Sequence, residues 1–182
     1  MNILQKDRLK QLSINCIIGE SPEGKPLWCL QDAYRQAGKM TPMIRKGNAS
    51  MMNFARYFKR EFGYDSVQYS EYDIENSECR SYLFSDNGGL FYGGANFWQG
   101  YTESGPIWRL QWIWMHPSYR NRKNLKKHWE LMTDDLAPLW IDPPVSGSMA
   151  FFVLRHPKNI HKDCINALKQ LFLETSGSES QP

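Results

Sequence analysis

Residues 110–129 read LQWIWMHPSYRNRKNLKKHW, and this stretch says most about the fold. It opens with an apolar run that is typical of a strand buried on both faces at the centre of a sheet, and Pro117 ends that strand. A basic loop then leads into a helix predicted over 124–136. The N–H groups at the start of a helix lack partners and carry partial positive charge. A strand, a basic loop and a helix in this order therefore predict an anion-binding site.

The loop is rich in positive charge, whereas the chain as a whole is not. The formal net charge of the 182 residues is only +3, so composition alone does not indicate nucleic-acid binding. A local basic cluster on a nearly neutral chain fits a small anionic ligand, such as a pyrophosphate, as readily as a polyanion. The cluster consists of Arg120, Arg122, Lys123, Lys126 and Lys127.

From residue 81 onward, strand patterns and helix patterns alternate. Residues 86–89, Asp-Asn-Gly-Gly, have the chemistry of a hairpin turn because Asn and Gly tolerate positive φ. Gly93 and Gly94, inside the second strand, indicate a bulge or a close backbone approach. We predict strands over 81–85, 90–98, 107–115 and 148–154, and helices over 124–136 and 158–173.

This order predicts the fold class. A hairpin gives antiparallel pairing, and a strand–helix–strand step gives parallel pairing. The expected fold is α/β (α+β), with a mixed, mainly antiparallel central sheet flanked by helices. The length fits one domain over 1–174, with a helical part over 1–80, a sheet and cofactor-binding part over 81–174, and a flexible tail over 175–182.

The first eighty residues carry weaker patterns. Residues 49–62 have apolar side chains at spacings of three and four, which predict an amphipathic helix beginning near Asn48 or Ser50. A helix is also expected over 27–37, followed by a loop over 41–48. Nearer the start, a short helix over 7–12 and a strand over 14–18 fit the composition.

The cysteine pattern and the hydropathy bear on metal sites, disulfides and cellular location. The cysteines are far apart and form no CxxC pair, so we expect reduced thiols, no metal site and no disulfide framework. No apolar run approaches the ~20 residues that a membrane-spanning helix needs, and the N-terminus lacks the apolar core of a signal peptide. We therefore expect a cytoplasmic protein without a membrane partner. The sequence leaves the oligomeric state open, a dimer included.

The segment from 81 to 172, about half of the chain, resembles the Gcn5-related N-acetyltransferase (GNAT) superfamily. In that family a strand is followed by hydrophobic-x-Pro-x-Tyr-Arg, a phosphate-binding loop and a helix, as in MHPSYR here. The resemblance implies an acyl-CoA N-acyltransferase-like fold, acetyl-CoA as co-substrate and an amine acceptor, which could be a protein lysine, an N-terminus or a small molecule. The implied cofactor-binding residues are Ile113, Trp114, Met115, Arg120, Asn121, Arg122, Lys123, Asn124, Leu125 and Lys126.

The loop departs from the family at the positions of its glycines. Where the family has Gly and then Gly or Ala, this chain has Lys123 and Leu125. Side chains there could widen the loop, while the extra basic residues could hold phosphate instead. The alternative prediction is a catalytically inactive GNAT-like domain that binds a partner or nucleic acid.

Four residues are candidates for the proton transfers of such a reaction. His116 follows the central strand and has a suitable imidazole, although a surface histidine beside Pro117 explains it equally well. Glu103 and Asp142 are carboxylate candidates. The family often uses a tyrosine in its last helix to protonate the thiolate. Because residues 158–173 contain none, Cys164 or a water would have to serve.

Two further interpretations concern the strand ends and the aromatic residues. A short likeness to the cohesin acetyltransferases covers residues 113–115 and the Pro-rich segment 143–150, which that family continues as a strand. We assign Trp112 and Phe91 to the core. Trp98 and Tyr101 could wall an acceptor groove.

Overall fold

The computed structural model describes residues 26–177 of the chain. The helix predicted over 7–12, the strand predicted over 14–18 and residues 178–182 of the predicted tail lie outside the described residues. Within them, no helix is long and apolar enough to cross a membrane. The one-domain organisation stays a prediction.

Five strands, five α-helices and two short 3₁₀ helices form within this range. The strands are β1 (Leu27–Cys29), β2 (Cys79–Ser85), β3 (Phe91–Thr102), β4 (Gly105–Met115) and β5 (Leu139–Ile141). The helices are α1 (Leu30–Ala37), α2 (Pro42–Phe62), α3 (Asn124–Asp135), α4 (Gly147–Arg155) and α5 (Lys162–Gly177). The 3₁₀ helices are Glu71–Ile74 and Pro117–Tyr119.

The strands form one five-stranded sheet in the order β1-β2-β3-β4-β5. Neighbours from β1 to β4 are antiparallel, whereas β4 and β5 are parallel. Helices α1 and α2 pack on one face of the sheet, and α3, α4 and α5 pack on the other. The mixed, mainly antiparallel sheet flanked by helices is confirmed. The core assignment of Trp112 and Phe91 is confirmed too, since 2% and 0% of their surface is exposed.

Helix α2 begins earlier than the sequence predicted. The expected loop over 41–48 is wrong, because Thr41 caps the helix and Pro42 occupies its first turn. The Thr41 hydroxyl accepts a hydrogen bond from the Ile44 N–H at 3.3 Å. A threonine cap followed by proline is a strong start signal, since proline lacks the N–H that would be unpaired there.

The strand predicted over 148–154 is wrong as well. These residues lie in α4, where the Ser146 hydroxyl accepts from the Met149 N–H at 3.3 Å and caps the helix. A short, wholly apolar run does not distinguish a buried strand from a buried helix. The strand that pairs in parallel with β4 is β5, only three residues long. The same helix overturns the likeness to cohesin acetyltransferases at residues 147–150, which required a strand there.

Strands β4 and β5 separate after three residue pairs. Pairing runs from Trp108 with Leu139 to Leu110 with Ile141, and β4 then continues to Met115 paired with β3 alone. The register between β3 and β4 shifts at the same point, which leaves Gln111 as an extra residue in β4. A bulge bends its strand and re-aims the following side chains. A wedge therefore opens between β4 and the chain that follows β5.

The glycine pair in β3 lies where backbones approach closely. This is one of the two alternatives, a bulge or a close approach, that the sequence predicted. A Cβ atom on Gly93 would lie 2.5 Å from the carbonyl oxygen of Trp114 and 3.0 Å from the Cα atom of Met115. One on Gly94 would lie 2.7 Å from the Met51 sulfur of α2. Only glycine therefore lets β3 lie this close to the end of β4 and to α2.

We expect Gly93→Ala to lower the free energy of unfolding by roughly 3 kcal/mol, because the clashing atoms are backbone and cannot rotate away. Urea denaturation followed by circular dichroism measures this change. Gly147→Ala is the matched control, since nothing lies within 4 Å of its Cβ position. The control should be as stable as the wild type or slightly more so. Equal stability of the two variants would contradict the steric argument.

Candidate functional site

A cavity of about 620 Å³ fills the wedge between β4 and the segment after β5. Its walls come from four places in the fold: the end of β4, the basic loop with the start of α3, the turn and helix after β5, and the end of α2. The apolar residues that line it include Phe58, Phe62, Leu110, Ile113, Leu125, Ile141, Val145, Met149 and Phe152. Its basic end is lined by Arg120, Lys123 and Lys126.

The structure brings the predicted cofactor-binding residues together. All of them except Arg122 line this cavity. Arg122 is exposed and lies outside the lining. That these residues bind coenzyme A stays a prediction.

The basic loop adopts glycine-like backbone conformations without glycine. Asn121 has φ 60° and Lys123 has φ 62°, both in the left-handed region. Such a conformation costs a non-glycine residue on the order of 1 kcal/mol. Lys123 is also the N-cap residue of α3, and its side chain makes no capping hydrogen bond. The first N–H groups of α3 therefore have no side-chain cap, at the point where Asn124 and Leu125 line the cavity.

Each nitrogen of the Arg120 guanidinium donates to a protein group. Its Nε donates to the Met115 carbonyl at 2.7 Å, and its two Nη atoms donate to the Glu61 carboxylate at 2.5 and 2.7 Å. The Trp114 indole N–H donates to the same carboxylate at 2.8 Å. Burial raises the pKa of Glu61, but the bonds from Arg120 and Trp114 outweigh it, so the pKa is lowered overall. Arg120 thus fixes the loop to β4 and α2, and Lys123 and Lys126 are the exposed cations of the cavity lining.

Sequence reasoning missed Glu61 entirely. It lies in the last turn of α2, where a charged residue is ordinarily explained by exposure to solvent. No local pattern links it to Arg120, since their contact spans 59 positions of the chain. The pair therefore had no signal in the sequence.

A buried aromatic cluster supports the start of α3. The Tyr92 hydroxyl lies 2.5 Å from the His128 Nε2 atom, and the Phe84 ring stacks on the imidazole at 4.6 Å. Tyr92 also stacks on Tyr119 at 4.1 Å, and the Tyr119 hydroxyl donates to Asp86 at 2.8 Å. Burial lowers the pKa of His128 to about 4, with a smaller effect from the nearby Lys127 cation. His128 is therefore neutral in the folded protein above that pH.

The four predicted catalytic residues are not brought together. Glu103 is exposed in the turn between β3 and β4, at the far end of β4 from the wedge. Cys164 is buried in α5, and its sulfur accepts from the Ile141 N–H at 3.3 Å. Burial raises the pKa of this thiol. Of the four, only Asp142 is among the described residues that line the cavity.

His116 is buried directly after β4 rather than exposed at the surface. Its Nδ1 accepts from the Ser118 N–H at 3.2 Å, and its Nε2 has no partner among the described residues. Burial, and then the neighbouring Arg120 cation, lower its pKa. The ring packs edge-on against Trp114 and Tyr119 and is not part of the cavity lining. This geometry suits a packing role.

A second, smaller cavity of about 390 Å³ adjoins the first. It is lined by Tyr64, Gln68, Arg109, Gln111, Asp142 and Pro143. The Asp142 carboxylate accepts from Arg109 Nε at 2.8 Å and from Gln111 Nε2 at 2.6 Å. Tyr64, Gln111 and Asp142 line both cavities, so the two spaces meet at these three side chains.

The predicted groove residues lie elsewhere. Trp98 and Tyr101 are in the half of β3 that pairs with the start of β4, and they are 36% and 73% exposed. Neither lines the two cavities described above. The aromatic wall near the junction comes instead from Phe58, Phe62 and Tyr64, around the end of α2.

No protein-family model matches the chain, and no curated protein sequence matches it either. Several solved acetyltransferases are similar to it in fold. A ribosomal-protein-alanine N-acetyltransferase from Brucella melitensis biovar Abortus 2308 is 15% identical, covering 71% of this chain and 87% of that one, with a TM-score of 0.45. A GNAT-family acetyltransferase from Staphylococcus aureus Mu50 is 17% identical, covering 62% and 78%, with a TM-score of 0.48.

An aminoglycoside 6'-N-acetyltransferase complexed with coenzyme A is 16% identical, covering 52% of this chain and 49% of that one, with a TM-score of 0.39. At such identities the likeness concerns the fold alone. Because the TM-scores are below 0.5, the function proposed below rests on the geometry of the two cavities.

We expect Glu61→Gln to lower the free energy of unfolding by roughly 1–2 kcal/mol, because Arg120 loses its charged partner in a half-buried site. Chemical denaturation at pH 7 measures the loss. Glu130→Gln is the matched control, since Glu130 faces Lys126 at 3.9 Å on an exposed helix surface. The control should change stability by less than about 0.5 kcal/mol. If Glu61→Gln lost as little stability as this control, the hydrogen bonds between Glu61 and Arg120 would contribute little to the free energy of unfolding.

The buried His128 predicts a stability that depends on pH. The pKa of His128 is about 4 in the folded protein, below the ordinary histidine value, so the unfolded chain binds this proton more readily. The stability contribution is complete above about pH 6.5 and falls by up to about 3 kcal/mol as the pH approaches 4. Melting temperatures between pH 7.5 and 4.5 measure the slope, which should flatten in His128→Gln. His161→Gln, which changes a partly exposed histidine, should keep the wild-type slope. An unchanged slope in His128→Gln would contradict this assignment.

Proposed function

We propose that this chain is an acetyl-CoA-dependent N-acetyltransferase that transfers an acetyl group to an amine, either on a protein or on a small molecule. One observation carries the proposal. A largely apolar cavity lies in the wedge between β4 and β5 and ends at a basic loop and an uncapped helix start. Acetyl-CoA has the matching polarity, with an uncharged thioester arm at one end and phosphates at the other.

The cavity residues fit the two parts of this co-substrate. Ile113, Ile141 and Met149 would contact the pantetheine arm, and the edge of β4 beyond Leu110 has no partner strand among the described residues. That edge would offer backbone hydrogen bonds, although the Met115 carbonyl is already taken by Arg120.

The phosphates would lie at the basic end of the cavity. The uncapped N–H groups at the start of α3 favour negative charge, and Lys123 and Lys126 add two exposed cations. The left-handed conformations of Asn121 and Lys123 support this role, since they give the loop a glycine-like shape despite the missing glycines. Side chains would then supply part of the attraction that bare backbone supplies in a glycine-rich loop.

Asp142 is the best placed of the four predicted catalytic residues. A direct proton transfer needs hydrogen-bond reach of the acceptor nitrogen or of one bridging water. Asp142 lies where the two cavities meet, and Arg109 and Gln111 hold its carboxylate in place. We therefore assign it the task of orienting the acceptor amine or the water that takes up its proton. The smaller, polar cavity beside it would admit the acceptor.

A second candidate function follows from Arg122 and Lys127. Both are exposed and neither lines the cavity, so they are accessible to a polyanion on the outer side of the loop. In this alternative the chain is an inactive acetyltransferase-like domain that binds nucleic acid or an acidic partner. Binding of single- or double-stranded DNA that weakens with salt and is lost in Arg122→Ala with Lys127→Ala would favour it.

Isothermal titration with acetyl-CoA and with coenzyme A tests the main proposal. We expect binding in the micromolar range, weakened at least about tenfold by Lys123→Ala with Lys126→Ala, because each lysine adds a charged contact to phosphate. Lys162→Ala with Lys169→Ala removes the same charge from exposed positions of α5 and should leave the affinity within about twofold. A folded wild type that shows no binding to either compound would refute the proposal.

A further inference from the structure

The smaller cavity contains a cation and an anion side by side. Arg109 of β4 donates through both Nε and Nη2 to the same oxygen of Asp142, Oδ1, at 2.8 and 2.5 Å. The two side chains are 46% and 18% exposed, so the pair borders a space that a ligand can enter. The lining thus has no net charge, and it offers a ligand one cationic and one anionic partner.

The cation keeps part of its hydrogen-bonding capacity. A guanidinium has five N–H donors, and Arg109 Nη1 has no partner among the residues that the structure describes. Gly100 of the neighbouring strand β3 makes room for the arginine stem, since a Cβ atom there would lie 2.6 Å from Arg109 Cδ. The stem therefore lies close against β3, and one nitrogen of the guanidinium stays available to an anionic group.

The anionic side of the pair has free capacity as well. Gln111 Nε2 donates to the other Asp142 oxygen, Oδ2, at 2.6 Å. A carboxylate oxygen can accept more than one hydrogen bond, and Gln111 Oε1 accepts none from the described part of the chain. Both residues also line the larger cavity. An ammonium bound here would therefore have two oxygen acceptors at the border of the space proposed for the thioester.

An aromatic surface adjoins the charged pair. The Trp112 indole N–H of β4 donates to the Gln68 carbonyl at 2.7 Å, which holds the segment after α2 on the sheet. In that segment, Tyr64 packs against Phe58 with 5.0 Å between ring centroids. Phe62 packs against Phe58 at the same distance and is 48% exposed. An apolar group would thus find a contact surface next to the two charges.

We propose that the acceptor is a free α-amino acid, whose α-amino group receives the acetyl group. This inference rests on the proposed function and deepens it by naming the class of acceptor. Arg109 would bind the α-carboxylate, and Asp142 with the Gln111 carbonyl would bind the α-amino group. The aromatic surface would contact an apolar side chain.

The contact between the two charges favours this class over other amines. A simple alkylamine has only a positive charge, so Asp142 would attract it and Arg109 would repel it. A peptide N-terminus and a lysine side chain have no carboxylate next to the amine, and they would leave the free guanidinium nitrogen without a partner. In a free α-amino acid, a single carbon atom separates the amine from the carboxylate. Its two charged groups can therefore bind two side chains that are themselves in contact.

The transfer to such an acceptor balances without a further reactant. The bound ammonium loses one proton to water and becomes a neutral amine. Its nitrogen attacks the thioester carbonyl carbon, a C–N bond forms, and the C–S bond breaks with its electron pair on sulfur. The nitrogen then loses a second proton, and the sulfur gains one. The products are an N-acetyl amino acid, whose nitrogen is no longer cationic, and coenzyme A as the free thiol.

A competition experiment tests the acceptor class. The protein and acetyl-CoA are mixed with the twenty common L-amino acids or, in a parallel reaction, with their amides, and mass spectrometry identifies the acetylated products. We expect N-acetyl amino acids with apolar side chains to predominate. The amides, which mimic a peptide N-terminus, should react at least about tenfold more slowly, because a site built to bind a charged group rejects an analogue that lacks it. A preference for the amides would overturn the inference.

Arg109→Gln separates recognition of the carboxylate from support of Asp142. The value of kcat/KM is measured for the best amino acid and for the amine that lacks its carboxylate, such as phenylalanine and 2-phenylethylamine. The ratio of the two values is compared between wild type and variant, so that the intrinsic reactivity of each amine cancels. We expect this ratio to fall roughly 10- to 100-fold. Arg35→Gln is the matched control and should keep the wild-type ratio, since Arg35 is 47% exposed and pairs with Asp32 outside both cavities.

The possible failures can be told apart. An equal loss for both substrates in Arg109→Gln would mean that Arg109 only positions Asp142, and this would refute the inference. Absence of transfer to every free amino acid, in a protein that binds acetyl-CoA, would also refute it and leave the proposed function standing. Absence of acetyl-CoA binding in the wild type would refute both.

Discussion

The early end of the pairing between β4 and β5 is the constraint on which the rest of the site depends. The two strands share three residue pairs, and the extra residue Gln111 then bends β4 away. The larger cavity lies in the wedge that this separation opens. The same break leaves one edge of β4 unpaired, brings Asp142 between the cavities and leads the chain toward α4. The length of the pairing between β4 and β5 thus fixes where the larger cavity begins.

The basic loop has left-handed backbone conformations at residues other than glycine. A glycine-rich loop reaches left-handed conformations at no steric cost, whereas Asn121 and Lys123 adopt them as ordinary residues. Neighbouring groups must then hold the strained backbone. Arg120 does so through the Met115 carbonyl and Glu61, so its guanidinium is a structural group rather than a free cation. The exposed positive charge of the cavity lining therefore comes from Lys123 and Lys126.

The sequence predicted the parts of the fold that depend on local patterns. The central strand, the hairpin over 86–89 and helix α3 follow from periodicity, proline and glycine. Strand β5 was not predicted, because three residues are too few to show a periodic pattern. Helix α4 was predicted as a strand, because a short apolar run fits either structure. The residues of β4 and the loop that line the larger cavity could be proposed together because they are contiguous in sequence. Glu61 and Tyr64 could not, because they reach the site only through the packing of α2 on the sheet.

Helix α2 contacts both the basic loop and the apolar part of the larger cavity. Its last turn carries Glu61, which holds the basic loop, and one residue before that turn is Phe58, which lines the cavity. A ligand that displaced this turn would alter the loop, and a ligand on the loop would alter the turn. Thermodynamic linkage makes such effects equal in both directions, so each ligand would change the affinity for the other by the same factor. The contact between Glu61 and Arg120 is therefore the place where occupation of one end of the cavity would favour or disfavour occupation of the other.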